Sequence, residues 1–347
     1  MTLLNSQKNA RKNFTVKPII LILASPNDLH AMAVERHLQE MNAVVHYLRY
    51  EELLNSYRIA LTFEGGTQSY TIQKQNNEPL DLSACASIWN RRPGQIVTDK
   101  FAVSWLEEMV KLETQATVQG MFASLPCLWV NHPRKDQACL QKLWQLKLAA
   151  DLGMTIPKTL VTNDPELVES FFHDCGGEVV YKLIAENSNH AIPGYENPRG
   201  LSTLQLRQQD LAFLQQVQYA PHLFQKRIDK AFELRVTIVG QEIFCALIDS
   251  QSGQGKIDWR QDYSVKMEPH RLPETTARQS LELMRKLGLN YGALDYCVTP
   301  EGEHIFLEIN CAGQFLWMEQ RCKLPISLEI AKLLTRQEEP LVHPVSL

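Results

Sequence analysis

Long apolar runs are missing from this 347-residue chain. None approaches the roughly 20 residues that a membrane-crossing helix needs, so no helical membrane protein is expected. The run "PIILILA" is too short for a secretory signal and reads as a buried strand. The start, "MTLLNSQKNARKNF", has Lys and Arg but no apolar core and small-residue cleavage site behind it, so a cytoplasmic location is expected. An excess of positive charge is also missing. Lys and Arg number 35 against 39 Asp and Glu, a net charge of −4, which offers no broad basic field to nucleic acid. None of the eight cysteines forms a CxxC pair, and most sit in apolar segments, which points to reduced, buried thiols rather than a zinc site or disulfide framework. The Gly-containing "SGQGKI" fails the phosphate-loop pattern, and no Ser/His/Asp triad has a recognisable local context. Internal repeats and low-complexity tracts are absent as well.

What is present is an ordinary globular pattern, apolar and charged in balance. Residues 1–16 are polar and read as a mobile tail. "KPIILILAS" suits a strand buried on both faces. Asp28 is placed to cap a following helix, with Leu29, Met32, Ala33, His37, Leu38 and Met41 at helical spacing. "AVVHYLRY" is the next strand, and this alternation predicts a small parallel α/β unit to about residue 125. Within it, "RIALTFEGGTQSYTIQ" reads as a hairpin about Gly65–Gly66, and "SIWNRRPG" as a strand stopped by Pro93. A helix is predicted from about Asp136 to Leu152, ending at Gly153. Strands "TIPKTLVT" and "EVVYKLIA" flank a capped helix, "DPELVESFFHDCGG". The polar, Gly- and Pro-containing loop 186–200 is long enough to suggest a working role. Later come "HLFQKRI", a strand pair turning at Gly240, a helix over "ETTARQSLELMRKLGL", a hairpin turning at Pro300–Gly302, and a closing helix in "SLEIAKLLTRQ".

Side chains two apart on a strand share a face. Glu308 and Asn310 in "IFLEIN" therefore point together, and the hairpin can bring Asp295 beside them. Two carboxylates and an amide oxygen are hard donors of the kind Mg²⁺ takes together with substrate phosphates. The structural alternative is that Asp295 and Glu308 pair with buried Arg or Lys. Lys182 lies in an apolar strand, where its charge needs a partner, and Lys142 lies in the helix opening the middle section. Either suits a phosphate as a point charge, and either is equally readable as a surface or snorkelling lysine. Glu233 and Arg235 share a strand face; they suit a sugar hydroxyl and an anion, or a cross-strand ion pair. Arg91, Arg92 and Arg260 stand at element ends, where they can meet an anionic substrate or simply face solvent.

The ordered set of a helix lysine, a strand lysine, a hinge strand, an Arg-bearing strand, then Asp and a later Glu-x-Asn resembles the ATP-grasp fold. More narrowly, "IWNRRP", "PHLFQKRIDKAFELRVTIVG", "KIDWR", "LGLNYGALDYCVTPEGEHIFLEIN" and "GQFLWME" are similar to the ATP-grasp ligases that mature ribosomally made peptides of the microviridin or graspetide type. The resemblance implies an α/β (α+β) chain in four parts. These are a tail (1–16), an N-terminal parallel α/β domain (17–125), a central ATP-grasp subdomain (126–220) and a C-terminal antiparallel-sheet subdomain (221–347). It implies an enzyme that uses ATP and Mg²⁺ to activate Asp or Glu side chains of a precursor peptide as acyl phosphates. Intramolecular ester or amide crosslinks then close macrocycles. By the same resemblance Asp295, Glu308 and Asn310 hold the metal, and Lys142 and Lys182 contact phosphates. Lys226 and Arg227 lie at the hinge whose backbone reads adenine, and Glu233 binds ribose. Arg235 and Arg260 serve the reacting phosphoryl group, and Arg91 and Arg92 serve substrate carboxylates. A leader-bearing precursor peptide is the implied partner, with neither nucleic acid nor membrane, and a homodimer is compatible with the family.

The chain departs from the family's Glu-Ile-Asn-Pro-Asn-Gly-Gln-Trp, having Cys311-Ala312 for Pro-Asn and Phe315 for Trp. The metal donors survive this change; a side chain that can orient substrate does not. Two other functions remain open: a ligase of the same fold adding a free amino acid to a peptide or protein, and an inactive peptide-binding module.

Overall fold

The computed structural model describes residues 17–98, 103–184, 203–253, 256, 259 and 264–336. The expected tail, the expected 186–200 loop and Arg260 lie outside these residues. The first layer comprises β1 (Ile19–Ala24), α1 (Leu29–Glu40), β2 (Val44–Leu48), α2 (Leu53–Ser56), β3 (Tyr57–Glu64), β4 (Thr67–Lys74), β5 (Leu80–Asp81), β6 (Cys85–Arg92), α3 (Ser104–Ala123) and β7 (Leu128–Val130). A parallel sheet runs β2-β1-β6-β7, and β3-β4-β5 form a separate antiparallel sheet. The unbroken apolar run of β1 has a physical cause. Ile20, Ile22 and Ala24 enter one core with α1, while Leu21 and Leu23 enter another with Val118, Met121 and Phe122 of α3. Asp28 caps α1 by accepting from the Ala31 amide at 2.9 Å. The buried face of α1 differs from the expected one: Ala31, Val34 and Leu38 point inward, while Leu29 and Met32 are exposed. Helical spacing alone admits two overlapping stripes here, and packing against the C-terminal helix of the chain selects the one with smaller side chains.

The middle section holds α4 (Pro133–Cys139), α5 (Lys142–Asp151), β8 (Thr159–Thr162), α6 (Pro165–Asp174), β9 (Val179–Lys182), β10 (Leu204–Leu206), a 3₁₀ segment (Gln208–Tyr219) and β11 (His222–Lys226). The single helix expected over 136–152 is two helices. Gln141 is non-helical, and the Gln145 side chain takes up the Cys139 carbonyl at 2.5 Å, satisfying a group that the break leaves open. β10 and the 3₁₀ segment have no counterpart in the sequence reading, since neither shows a clear period. The sheet order is β10-β9-β11-β8, so β11 pairs with the middle section.

The last section holds β12 (Phe232–Val239), β13 (Glu242–Ile248), β14 (Met267–Pro269), α7 (Glu274–Leu287), β15 (Tyr291–Val298), β16 (His304–Asn310), α8 (Leu316–Cys322) and α9 (Ile326–Thr335). Its antiparallel sheet runs β14-β13-β12-β15-β16. Gly240 turns the β12–β13 hairpin at φ +60°, a value side-chain-bearing residues rarely adopt. One face of the sheet, through Leu234, Val236, Ile238, Leu294, Tyr296, Phe306 and Ile309, shares a core with residues of α5 and α7. Strict alternation would have put Phe306 with Glu308. Instead the register shifts between Asp295 and Tyr296: Asp295 pairs with Glu308 and Tyr296 with Phe306, leaving Leu307 as an extra residue. This bulge turns Phe306 into the core while Glu308 and Asn310 keep the opposite face. No helix among the described residues is long and apolar enough to cross a membrane.

Candidate active site

Even-numbered residues of β12 fill the core, which turns Glu233 and Arg235 to the other face. Pairing across the sheet then sets Arg235 opposite Asp295, and Asp295 opposite Glu308. The Arg235 Nη1 donates to Asp295 Oδ1 at 2.9 Å and Oδ2 at 2.8 Å. The Asn310 side chain donates from Nδ2 to Asp295 Oδ2 at 3.3 Å and to Glu308 Oε1 at 3.5 Å. At the sheet edge, Lys142 at the start of α5 brings its Nζ within 3.4 Å of Glu308 Oε2 and of the Leu183 carbonyl. Lys142 therefore spans from β16 to the end of β9. The charge of Lys182, the last residue of β9, is felt at Cys297, two residues beyond Asp295, although burial dominates in pushing that thiol up to about 12. Lys230 Nζ meets Glu233 Oε1 at 2.6 Å.

The electrostatics follow from burial. Arg235 is 8% exposed, and desolvation opposes its charge; the attraction of Asp295 outweighs this and its pKa rises. Burial raises the Glu233 carboxyl, against the pull of Lys230. Gly313, just beyond Asn310, packs on this cluster: a Cβ there would lie 2.5 Å from Ala293 Cβ and 2.9 Å from Arg235 Nη2.

The other expected residues fall as follows. Arg91, 3% exposed, donates from Nη1 to the Ala312 carbonyl at 2.7 Å and lies 3.6 Å from Asp28. It forms part of the wall behind the 311–313 loop, and the exposed Arg92 reaches the same carbonyl from Nη2 at 3.5 Å. The Lys226 amide donates to Lys158 O at 2.9 Å and the Arg227 amide to Glu178 O at 2.8 Å. The main-chain N–H groups at these two positions thus tie the end of β11 to the segments that lead into β8 and β9. The Arg227 side chain is ion-paired to Glu178.

Sequence reasoning missed a set of buried amides beneath the site. Asn131 donates from Nδ2 to Asp136, to Tyr291 O and to Cys311 O, and accepts the Asn290 and Tyr291 amides at 2.8 Å. Asn90 reaches the other oxygen of Asp136 at 2.8 Å. Gln145 joins α5 to Ile309. The available signal was a lone amide inside each of the apolar stretches "LWVN" and "KLWQLKLAA".

The two carboxylates, with Asn310 once its amide is turned to present oxygen, are donors that fit Mg²⁺, which takes few protein donors and completes its shell with water and phosphate oxygens. Among the described residues no group of three His, Cys, Asp or Glu side chains converges, so an all-protein cage of that kind is not formed there.

The chain is similar to several known proteins. Residues 19–137 match the family model of the MvdD pre-ATP grasp domain. The chain is similar to the macrocyclase MdnC of Microcystis aeruginosa MRC, solved with its precursor peptide MdnA, at 33% identity and a TM-score of 0.79. That match covers 91% of this chain and 98% of MdnC. It is also similar to a RiPP-associated ATP-grasp ligase of Chryseobacterium gregarium, solved with ADP and a leader and core peptide. There the identity is 28% and the TM-score 0.82, covering 92% and 96% of the two chains. Human N-acetylaspartylglutamate synthase A is 22% identical over 228 residues, covering 64% of this chain and 56% of the human protein. The chain thus spans little more than half the length of that curated relative.

The fold is that of an ATP-grasp ligase. Within that class the chain belongs to the family of RiPP-associated ATP-grasp ligases and macrocyclases that includes MdnC.

Proposed function

We propose that this chain uses ATP to crosslink a ribosomally made precursor peptide through its own side chains, in the cytoplasm. An oxygen of an Asp or Glu carboxylate on the peptide attacks the γ-phosphorus of ATP, and ADP leaves. A Ser or Thr hydroxyl, or a Lys amine, of the same peptide then attacks the acyl carbon. Phosphate leaves and the nucleophile's proton is lost, closing an ester or amide ring. The observation that carries this reading is the row Arg235–Asp295–Glu308, with Asn310 and Lys142 around it.

A carboxylate resists attack because oxide is a poor leaving group. Phosphorylation solves that, and the transfer asks the protein for charge neutralisation and alignment. Mg²⁺, held by Asp295, Glu308 and Asn310, would neutralise phosphate oxygens at this face. We assign Lys142 and Lys182 to the phosphate chain as point charges, and Arg235 to the charge that develops on the transferred group. We assign Glu233 to the ribose, Arg260 to the reacting phosphate and Arg92 to the peptide's carboxylates. Holding both peptide groups in one site makes ring closure effectively unimolecular.

A second reading, addition of a free amino acid, is favoured by the similarity to the synthase. Mass spectrometry of a candidate leader-bearing peptide incubated with the protein, Mg²⁺ and ATP separates the two. Each crosslink removes one water, about 18 Da by condensation through the acyl intermediate; a gain in mass would favour the second reading. ATP consumption without any change in peptide mass would remove both.

A further inference from the structure

β16 is an edge strand of its sheet, with β15 on one side. The residue between the two expected metal donors, Ile309, turns its main-chain N–H and C=O outward from that pairing. Both are met by one side chain. Gln145 Oε1 accepts the Ile309 amide at 2.9 Å, and Gln145 Nε2 donates to the Ile309 carbonyl at 2.9 Å. The Gln145 amide thus does what a neighbouring strand would do, for one residue. It is 2% exposed, and its Nε2 also holds the Cys139 carbonyl at the end of α4. Lys142 stands three residues earlier on the same helix, the spacing that puts two side chains on one face. One face of α5 therefore touches Glu308 through Lys142 and grips Ile309 through Gln145.

On the far side of Asn310, Asn131 Nδ2 donates to the Cys311 carbonyl at 3.1 Å. The backbone is clasped immediately before and immediately after Asn310. Neither amide points at the reacting groups, so their effect must pass through the main chain.

We infer that Gln145 is a positioning residue: its bidentate grip on Ile309 sets the separation of the Glu308 and Asn310 donors, and so the response of nucleotide binding to Mg²⁺. The inference rests on the proposed metal and nucleotide site. An unsupported edge strand frays, and donors two residues apart then lose their shared geometry. Partners that orient metal ligands from behind typically change metal affinity by about 10- to 100-fold when removed.

The test uses the full-length chain and Gln145→Met, which keeps side-chain length and removes all three hydrogen bonds, the two to Ile309 and the one to Cys139. ADP binding is titrated calorimetrically with and without Mg²⁺, and amide exchange is followed by mass spectrometry over residues 305–311. The variant should exchange faster across that segment and need about tenfold more Mg²⁺ for half-maximal ADP binding. Its affinity for Mg²⁺-free ADP should match the parent's. An unchanged Mg²⁺ requirement overturns the inference, and so does an equal loss of ADP affinity with and without Mg²⁺, which a merely structural role would give. If the parent chain's own ADP binding ignores Mg²⁺, the underlying site assignment fails instead and takes the inference with it. Should Gln145→Met not fold, Gln145→Glu serves under the same criteria; it keeps the acceptor for the Ile309 amide and loses the donor to the two carbonyls.

Discussion

Arg235 and Asp295 are each mostly buried, with side-chain exposures of 10% and 17%. Removing one partner leaves the other's charge without its counter-ion in a low-dielectric site. Asp295→Ala is therefore expected to destabilise the fold by about 3–5 kcal/mol, read by denaturant unfolding, besides abolishing Mg²⁺-dependent ATP turnover. A midpoint within experimental error of the parent's would show that solvent reaches Arg235 freely. Asp136 makes a different prediction. Burial raises its carboxyl from 3.8 to about 7, against the lowering effect of its hydrogen bonds from Asn131 and Asn90. The folded chain then binds a proton that the unfolded chain releases. The protonated form is favoured, so stability falls as pH rises from about 4 to 7 and is flat outside that window. At ~1.4 kcal/mol per unit the loss is about 4 kcal/mol at most. His30 works in the other direction. Burial lowers it from 6.5 to about 4, so its contribution is lost as pH falls through that range. Unfolding curves at pH 5 and pH 8 for the parent and Asp136→Asn isolate the carboxylate: the variant should lose the downward slope and keep the His30 effect. A slope unchanged by the substitution would assign it elsewhere.

At the scale of elements, the site depends on the fit between β15, β16 and the turn that follows. Gly313 comes so close to Ala293 and Arg235 that even a methyl group has no room, and Ala293 is not a flexible tip that can swing away. Gly313→Ala should cost about 1–3 kcal/mol and reduce turnover, since relief requires moving Arg235 or the strand that carries Asp295. A thermal midpoint equal to the parent's, with full turnover, would mean that the 311–314 turn is not held against the sheet. Cys311 and Ala312, where the resemblance expects Pro-Asn, are held through their main chain. The carbonyls of both residues are held, by Asn131 and by Arg91.

On the scale of the whole molecule, the site collects residues from every layer. Lys182 belongs to the middle sheet, Lys142 to α5, and Arg235, Asp295, Glu308 and Asn310 to the last sheet. Arg91 reaches in from the parallel sheet. A ligand bridging such pieces stabilises the folded state by mass action. Mg²⁺ with ADP at 100 times its dissociation constant should add about 2.7 kcal/mol, seen as a rise in melting temperature. Chelating the metal should remove most of that rise, and Lys142→Met should blunt it. A melting curve indifferent to nucleotide would argue for the inactive binding module.

The grouping of these side chains on one face was readable from short-range pattern because strand faces repeat every second residue. Glu308 with Asn310, Glu233 with Arg235, and the two-sided burial of "IILILA" all follow from neighbours in the chain. The same rule misplaced Phe306, because a bulge depends on the partner strand and not on local spacing. The two helices over 133–151, the committed N–H groups at Lys226 and Arg227, and the engagement of Arg91 were beyond such reading for the same reason. So were the amides: Gln145 and Ile309 are 164 residues apart, and Asn131 and Cys311 are 180 apart. A polar side chain in an apolar segment announces that it needs partners once buried. Which backbone groups answer it is settled when distant segments fold against one another.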